Sequence, residues 1–260
     1  MTEIEPTATR IAVGPDDDAR TIAMLQRAGS GPGLFWLGGY RSDMRGTKAA
    51  FLDQFAADRG LAMTRFDYSG HGESSGRFED GTISQWLADT QAAFSRTDGP
   101  QIIVGSSMGG WLALLLAQSL AARGDSDRLA GMVLIAPAFD MTKLLMWDAM
   151  SKTVRQELDA NGIYFEPNPY GDPTPITKAL IEDGKTHLFG DRLISAGCPV
   201  HILQGMEDRE VPHSHAAALA EKLASDDAML TLVKDGDHRL SRPEDLALLG
   251  RTIEAMRDAD

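Results

Sequence analysis

Ile102-Ile103-Val104-Gly105-Ser106-Ser107-Met108-Gly109-Gly110-Trp111 is the stretch that decides how this chain folds. The β-branched run at its start reads as a buried strand, and the apolar, helix-patterned residues from Trp111 to Leu120 read as a helix. Between them lies G-x-S-x-G. In that pattern the serine occupies a strained, tight turn, and the flanking glycines remove side chains that would collide with the neighbouring strand and helix. Ser107 is therefore the candidate nucleophile. Met108 follows at the start of the helix, so its backbone N–H would point at an oxyanion forming on a carbonyl attacked by Ser107.

A nucleophilic serine needs a base, and the base needs a carboxylate to orient it. Val200-His201-Ile202-Leu203-Gln204 reads as a buried strand that breaks into the loop Gly205–Pro212, which carries Asp208. Met229–Val233 reads as the next strand, and Asp235-Gly236-Asp237-His238 follows it directly. Loops at the carboxyl ends of parallel strands build active sites, so both residues are expected on one rim. His238 would take the proton of Ser107 through one ring nitrogen while Asp208 fixes the tautomer through the other. Asp140, after the strand Gly131–Ala136, is the alternative acid. Asp235 and Asp237 lie too near His238 in the chain to hold its ring and are expected to form turns. The second oxyanion donor is expected after Leu34-Phe35-Trp36-Leu37, where Gly38-Gly39-Tyr40 puts forward the Tyr40 N–H; a plain Gly-Gly turn is the alternative there.

Outward from these segments, Thr9–Val13 and Thr21–Gln26 read as an opening hairpin around Gly14-Pro15-Asp16-Asp17-Asp18. Lys48–Arg59 reads as a helix, Leu61–Phe66 as a strand and Ile83–Ser95 as an amphipathic helix. His71, in the Gly-rich loop between the last two, is read as structural. Between Phe139 and Asp191 the strand-helix rhythm lapses, which marks residues 139–191 as a cap inserted within a single domain spanning 1–260. Met141, Leu144, Leu145, Met146, Trp147 and Met150 fit helical spacing. Met141, Met146 and Trp147 are expected to line an acyl pocket with adaptable side chains, with plain packing of cap on core as the equal alternative. Asn168–Pro175 is expected to form the rim of that cap, and Asp183–His187 a turn near it.

The 260 residues suffice for one large α/β domain. A net charge of −13, from 25 basic and 38 acidic residues, and the lack of a basic cluster with interleaved aromatics argue against nucleic acid as a partner. The longest apolar helical run, around Trp111–Ala117, falls far short of the roughly 20 residues needed to cross a bilayer. Cys198 is the single cysteine, which excludes an internal disulfide and suits a reducing compartment. Met1–Pro6 is acidic, without an Arg-rich presequence or a signal peptide, and a cytoplasmic location is the expectation. His213 and His215 have a spacing found in metal sites but lack a third ligand, so neither metal nor cofactor is implied.

The segments Gly38–Met44 with Gly46-Thr47-Lys48-Ala49, Asp67–Ser74, Gly105–Trp111 and Gly236–Arg239 resemble the α/β-hydrolase superfamily. Over nearly the whole length the chain is similar to one branch, the α/β-hydrolase domain-containing protein ten family. The resemblance implies an α/β-hydrolase fold, with a mostly parallel central sheet flanked by helices and a small cap. It implies a triad on Ser107, Asp208 and His238. Eukaryotic members of the branch are acyl-protein thioesterases that also cleave drug acyl-glucuronides, so the expected partner is a small acyl ester or an acylated protein. Carbon–carbon bond hydrolases and lipases share the elbow and form the alternative class. A non-catalytic ligand-binding protein is a further alternative, against which an apparently complete triad argues.

Overall fold

The computed structural model describes residues 7–15, 19–167, 172–224 and 227–258. The chain opens with β1 (Thr9–Val13), β2 (Arg20–Arg27) and β3 (Ser30–Leu37), then α1 (Thr47–Arg59), β4 (Leu61–Phe66), α2 (Ile83–Phe94), β5 (Gln101–Ser106), α3 (Met108–Arg123) and β6 (Leu129–Ile135). After α4 (Lys152–Asn161), β7 (Ile163–Glu166), β8 (Thr174–Thr177) and α5 (Lys178–Gly184), it closes with β9 (Val200–Gly205), α6 (His213–Lys222), β10 (Ala228–Val233) and α7 (Pro243–Arg257). Eight strands form one sheet in the order β1-β2-β4-β3-β5-β6-β9-β10. β1 and β2 pair antiparallel, β2 joins β4 antiparallel, and every pair from β4 to β10 is parallel.

Period-two alternation divides the core between the two faces of this sheet. On β5, Ile103 packs with Trp86 of α2 and Leu112 of α3, while Ile102 and Val104 face Leu52 of α1 and Ile253 of α7. All of β5 is buried because both faces are covered, which is why it reads as an unbroken apolar run. The winding reverses at β3, which has β4 on one side and β5 on the other. The loops after β3 and β5 therefore lie side by side at the carboxyl end of the sheet, where a crevice opens in folds of this kind.

Residues 139–191 stand outside the main sheet. Thr142–Trp147 forms a π-helical turn, and β7 pairs with β8 in a separate two-stranded sheet. The wider π turn breaks the helical stripe expected for Met141–Met150, so those side chains fall into different clusters. Met141 is packed in the main core, whereas Trp147 and Met150 pack on Leu158, Ile176 and Ile181, and Met146 touches both groups. Asp183-Gly184 is helix rather than turn: α5 runs through it and continues as a 3-10 turn over Lys185–His187. Glycine serves close packing there, since a Cβ on Gly184 would come within hard-contact range of Thr142 Oγ1. The parts of the expected turns at Asp16–Asp18 and Asn168–Gly171, and the Met1–Pro6 segment, lie outside the described residues.

Candidate active site

Ser107 sits between the last residue of β5 and the first of α3, with φ 54° and ψ −118°. A non-glycine residue held in that region carries backbone strain, and the surroundings supply the restraint. Its N–H donates to Ile135 O at 2.9 Å, and its carbonyl accepts from Gly110 N and Ala138 N. The turn is too tight for any side chain beside it. A Cβ on Gly105 would lie 2.6 Å from Gly109 O, and one on Gly109 would overlap Leu37 O.

The Gly38-Gly39-Tyr40 turn leaves β3 directly against the serine. A Cβ on Gly39 would meet Ser107 Cβ at 3.3 Å, so the backbone of that turn forms one wall of the space above the hydroxyl. Neither Tyr40 N–H nor Met108 N–H is taken by an acceptor among the described residues. Arg41 follows at φ 60°, and its N–H donates to His71 Nε2 at 3.3 Å. His71 Nδ1 lies 3.2 Å from Ser69 O, and burial among Tyr68, Phe78 and Trp86 pushes its pKa down to about 4. It is a neutral, structural imidazole that holds the turn from below, as its place in the Gly-rich loop suggests.

Asp208 and His238 meet across the ends of β9 and β10, Asp208 Oδ2 lying 2.8 Å from His238 Nδ1. Asp208 Oδ1 accepts from Glu210 N and Val211 N, and Oδ2 also accepts from Gln204 Nε2. Burial alone would raise this carboxyl group. The hydrogen bond and charge of His238, with the two backbone donors, more than offset it and hold the pKa below the ordinary range. On the other side of the ring, His238 Nε2 lies 3.6 Å from Glu210 Oε2. No hydrogen bond joins Ser107 Oγ to His238 among the described residues.

The alternative acid is engaged elsewhere. Asp140, itself at φ 52°, accepts from Phe189 N at 2.8 Å and Gly190 N at 2.9 Å, so it ties the start of the 139–191 segment to its end. Asp237 accepts from Arg239 N and Leu240 N, as a turn-forming residue does, whereas Asp235 pairs with the side chain of Arg242. His215 stacks on Phe139 with ring centroids 4.3 Å apart. Cys198 is buried, and burial pushes its thiol up to about 12, far from the reactive range.

Several contacts at the site escaped sequence reasoning. Lys48 of the Gly-Thr-Lys-Ala string donates to the carbonyl of Arg239, next to His238, and burial draws its pKa down to about 8. Tyr40 Oη donates to Pro175 O at 2.6 Å, and Arg41 Nη1 reaches Asp172 O, Pro173 O and Thr174 Oγ1. Those bonds fasten the turn after β3 to β8. No local pattern announces them, because the partners stand more than 130 residues apart. Trp147 lines an apolar cavity of about 280 Å³ with Thr142, Lys143, Ile181, Lys185 and Leu188; Met141 and Met146 do not line it.

Sheet order and the strained serine between strand and helix define an α/β-hydrolase. The family model described as Serine aminopeptidase, S33 matches residues 39–165. The chain is 32% identical over 244 residues to Palmitoyl-protein thioesterase ABHD10, mitochondrial, of Homo sapiens, covering 93% of this chain and 78% of that protein. Among solved structures, it superposes on alpha/beta hydrolase domain-containing protein 10 from mouse with a TM-score of 0.85 and 30% identity, covering 97% of this chain and 99% of that one. A putative hydrolase from Agrobacterium vitis S4 gives a TM-score of 0.93 and 50% identity, with 97% and 99% covered. The chain belongs to the ABHD10 family of α/β-hydrolases. The relatives' mitochondrial name corrects the cytoplasmic location expected from the sequence. A single buried thiol fits any reducing compartment equally well, so Cys198 did not discriminate between them. Among the described residues, no helix is long and apolar enough to cross a membrane.

Proposed function

We propose that this hydrolase cleaves carboxylic esters or thioesters through a covalent acyl-enzyme on Ser107, with His238 as general base and acid and Asp208 as its orienting carboxylate. The observation that carries the proposal is the 2.8 Å contact between Asp208 and His238 Nδ1 on the rim that also bears the strained Ser107. With Nδ1 committed to the carboxylate, Nε2 is the nitrogen free to exchange a proton with the serine and then with the leaving group. Tyr40 N–H and Met108 N–H, both without an acceptor among the described residues, would receive the oxyanion. The absence of a Ser107–His238 hydrogen bond is compatible with this role, since such bonds often tighten only when substrate is bound. The 32% identical relatives, named palmitoyl-protein thioesterases, support an acyl substrate. Residues 139–191 act as a cap within one domain, with Met146 and Trp147 on the acyl side; Met141, buried in the core, would support that wall from behind.

The test is labelling by a fluorophosphonate probe together with a hydrolysis panel of esters and thioesters. The native protein is expected to label and turn over both. Ser107→Ala, folded by circular dichroism, is expected to lose labelling and at least about 10,000-fold in rate. Normal turnover by that variant would move the nucleophile to another residue.

A further inference from the structure

The leaving group of an ester must receive its proton from His238 Nε2, so its oxygen or sulfur has to stand within hydrogen-bond reach of that nitrogen. This requirement, which rests on the hydrolase reading above, fixes the surroundings of the departing group. Glu210 Oε2 lies 3.6 Å from Nε2, and the Glu210 N–H is bonded to Asp208 Oδ1 at 2.9 Å, so the residue's backbone is part of the loop that builds the triad. A second carboxylate is coupled to it electrostatically. Glu166, at the end of β7, is held above its ordinary range first by desolvation and then by the negative charge of Glu210. Its charge also reaches the phenol of Tyr40. The carboxylate of Glu210 therefore stands beside the nitrogen that serves the leaving group, and Glu166 adds negative charge to the same rim. Of the cations near that rim, Arg41 is turned into the carbonyls of Asp172 and Pro173 and the hydroxyl of Thr174.

We propose that Glu210, assisted by Glu166, makes this enzyme selective for alcohol or thiol leaving groups that carry a positive charge close to the scissile bond. In the acylation step, Ser107 Oγ bonds to the carbonyl carbon and its proton passes to His238 Nε2. The bond from that carbon to the leaving oxygen or sulfur then breaks, and the proton goes from Nε2 to the departing atom. A cationic substituent two or three bonds from that atom stands beside Glu210 throughout. An anionic substituent in the same place meets two like charges.

The discriminating pair is the choline ester and the 3,3-dimethylbutyl ester of one short acid, which share a shape and differ in a quaternary nitrogen against a quaternary carbon. Each kcat/KM is divided by the ester's hydroxide-catalysed rate, to remove intrinsic reactivity. In the native protein the normalised ratio is expected to be roughly five to ten at low salt and to shrink markedly in 0.5 M salt, because Glu210 is largely exposed and its field is screened. Glu210→Gln is expected to bring the ratio near one, Glu210→Lys to invert it, and Glu166→Gln to lower it partway. A ratio near one in the native protein, or a ratio unmoved by Glu210→Gln, overturns the proposal. A role confined to holding the His238 ring would move both esters together and leave the ratio unchanged. Failure to label with fluorophosphonate or to turn over either ester overturns the hydrolase reading itself, whereas turnover without discrimination overturns only this inference.

Discussion

Ser107, Asp208 and His238 stand on loops that leave three parallel strands of one sheet, whereas residues 139–191 lie outside that sheet and contain a two-stranded hairpin and a π-helical turn. The first region is fixed by backbone. Gly105 and Gly109 touch neighbouring carbonyls, and Asp208 is held by two N–H groups and an amide. The second is fixed by side chains at a distance: Asp140 clamps its two ends, while Tyr40 and Arg41 fasten β8 to the turn after β3. A backbone-built site tolerates little change, and a segment held by side chains can be loosened one bond at a time.

The sharpest break between the regions comes from their two buried aspartates. Asp208→Asn should cost about 10,000-fold in kcat/KM, the scale seen when the acid of a serine triad becomes its amide and the histidine takes the wrong tautomer. Asp140→Asn should leave the chemical step nearly intact. It should instead lower the denaturant midpoint, by an amount on the order of 1–3 kcal/mol for weakened charge-assisted bonds to Phe189 N and Gly190 N. Steady-state rates and urea unfolding of the two variants measure this directly. An exchange of their phenotypes would relocate the acid.

The difference between the regions is also why one was legible in the sequence. Ser107, Asp208 and His238 each follow a short apolar strand, so strand periodicity and loop position suffice to bring them to one rim. The same grammar placed β1, β2, β4 and α2 within a residue or two of their observed ends. Residues 139–191 obey no such period. The stripe Met141–Met150 looked helical, but a π turn redistributes it, and Gly184, which looked like a turn former, is a packing glycine inside α5. Glu210 and Lys48 gain their importance only from long-range contacts with His238 and Arg239.

His71 offers a pH probe of the backbone-built side. In the unfolded chain it protonates as pH falls through its ordinary value of 6.5, while the folded chain holds it neutral down to about 4. Between those values the unfolded state binds more protons, so stability falls as pH falls, by up to about 3 kcal/mol at the lower end. His71→Gln, which keeps an acceptor for Arg41 N–H, should flatten the dependence of the urea midpoint on pH across that window. An unchanged slope would assign the acid sensitivity to other groups.

The bonds joining the two regions should matter less than the triad and more than any single apolar contact. Arg41→Ala keeps the strained backbone but removes the reach to Asp172 O, Pro173 O and Thr174 Oγ1. A loosened turn displaces the Tyr40 N–H only partly, so kcat on a short ester should fall about tenfold, below the 100- to 1000-fold cost of losing an oxyanion donor outright. KM should change much less. A rise in KM with kcat preserved would mean that the clasp serves binding rather than the oxyanion.

The smallest effect concerns the acyl chain. If Met146 and Trp147 face the acyl group, each added methylene that becomes buried contributes up to about 0.8 kcal/mol, or roughly fourfold in kcat/KM, from short to medium chains. Trp147→Asp should flatten that series while sparing activity on a short ester, because it hydrates the wall without touching Ser107, Asp208 or His238. Trp147 also holds Arg155 over its ring at 5.0 Å and packs on Leu158, Ile176 and Ile181, so the same change should loosen the cap. The two consequences separate by measurement: loosening lowers the unfolding midpoint, while a lost acyl wall changes the slope of rate against chain length. A native series that is flat from the outset would leave Trp147 as cap packing alone, and would place specificity on the leaving-group side of the site.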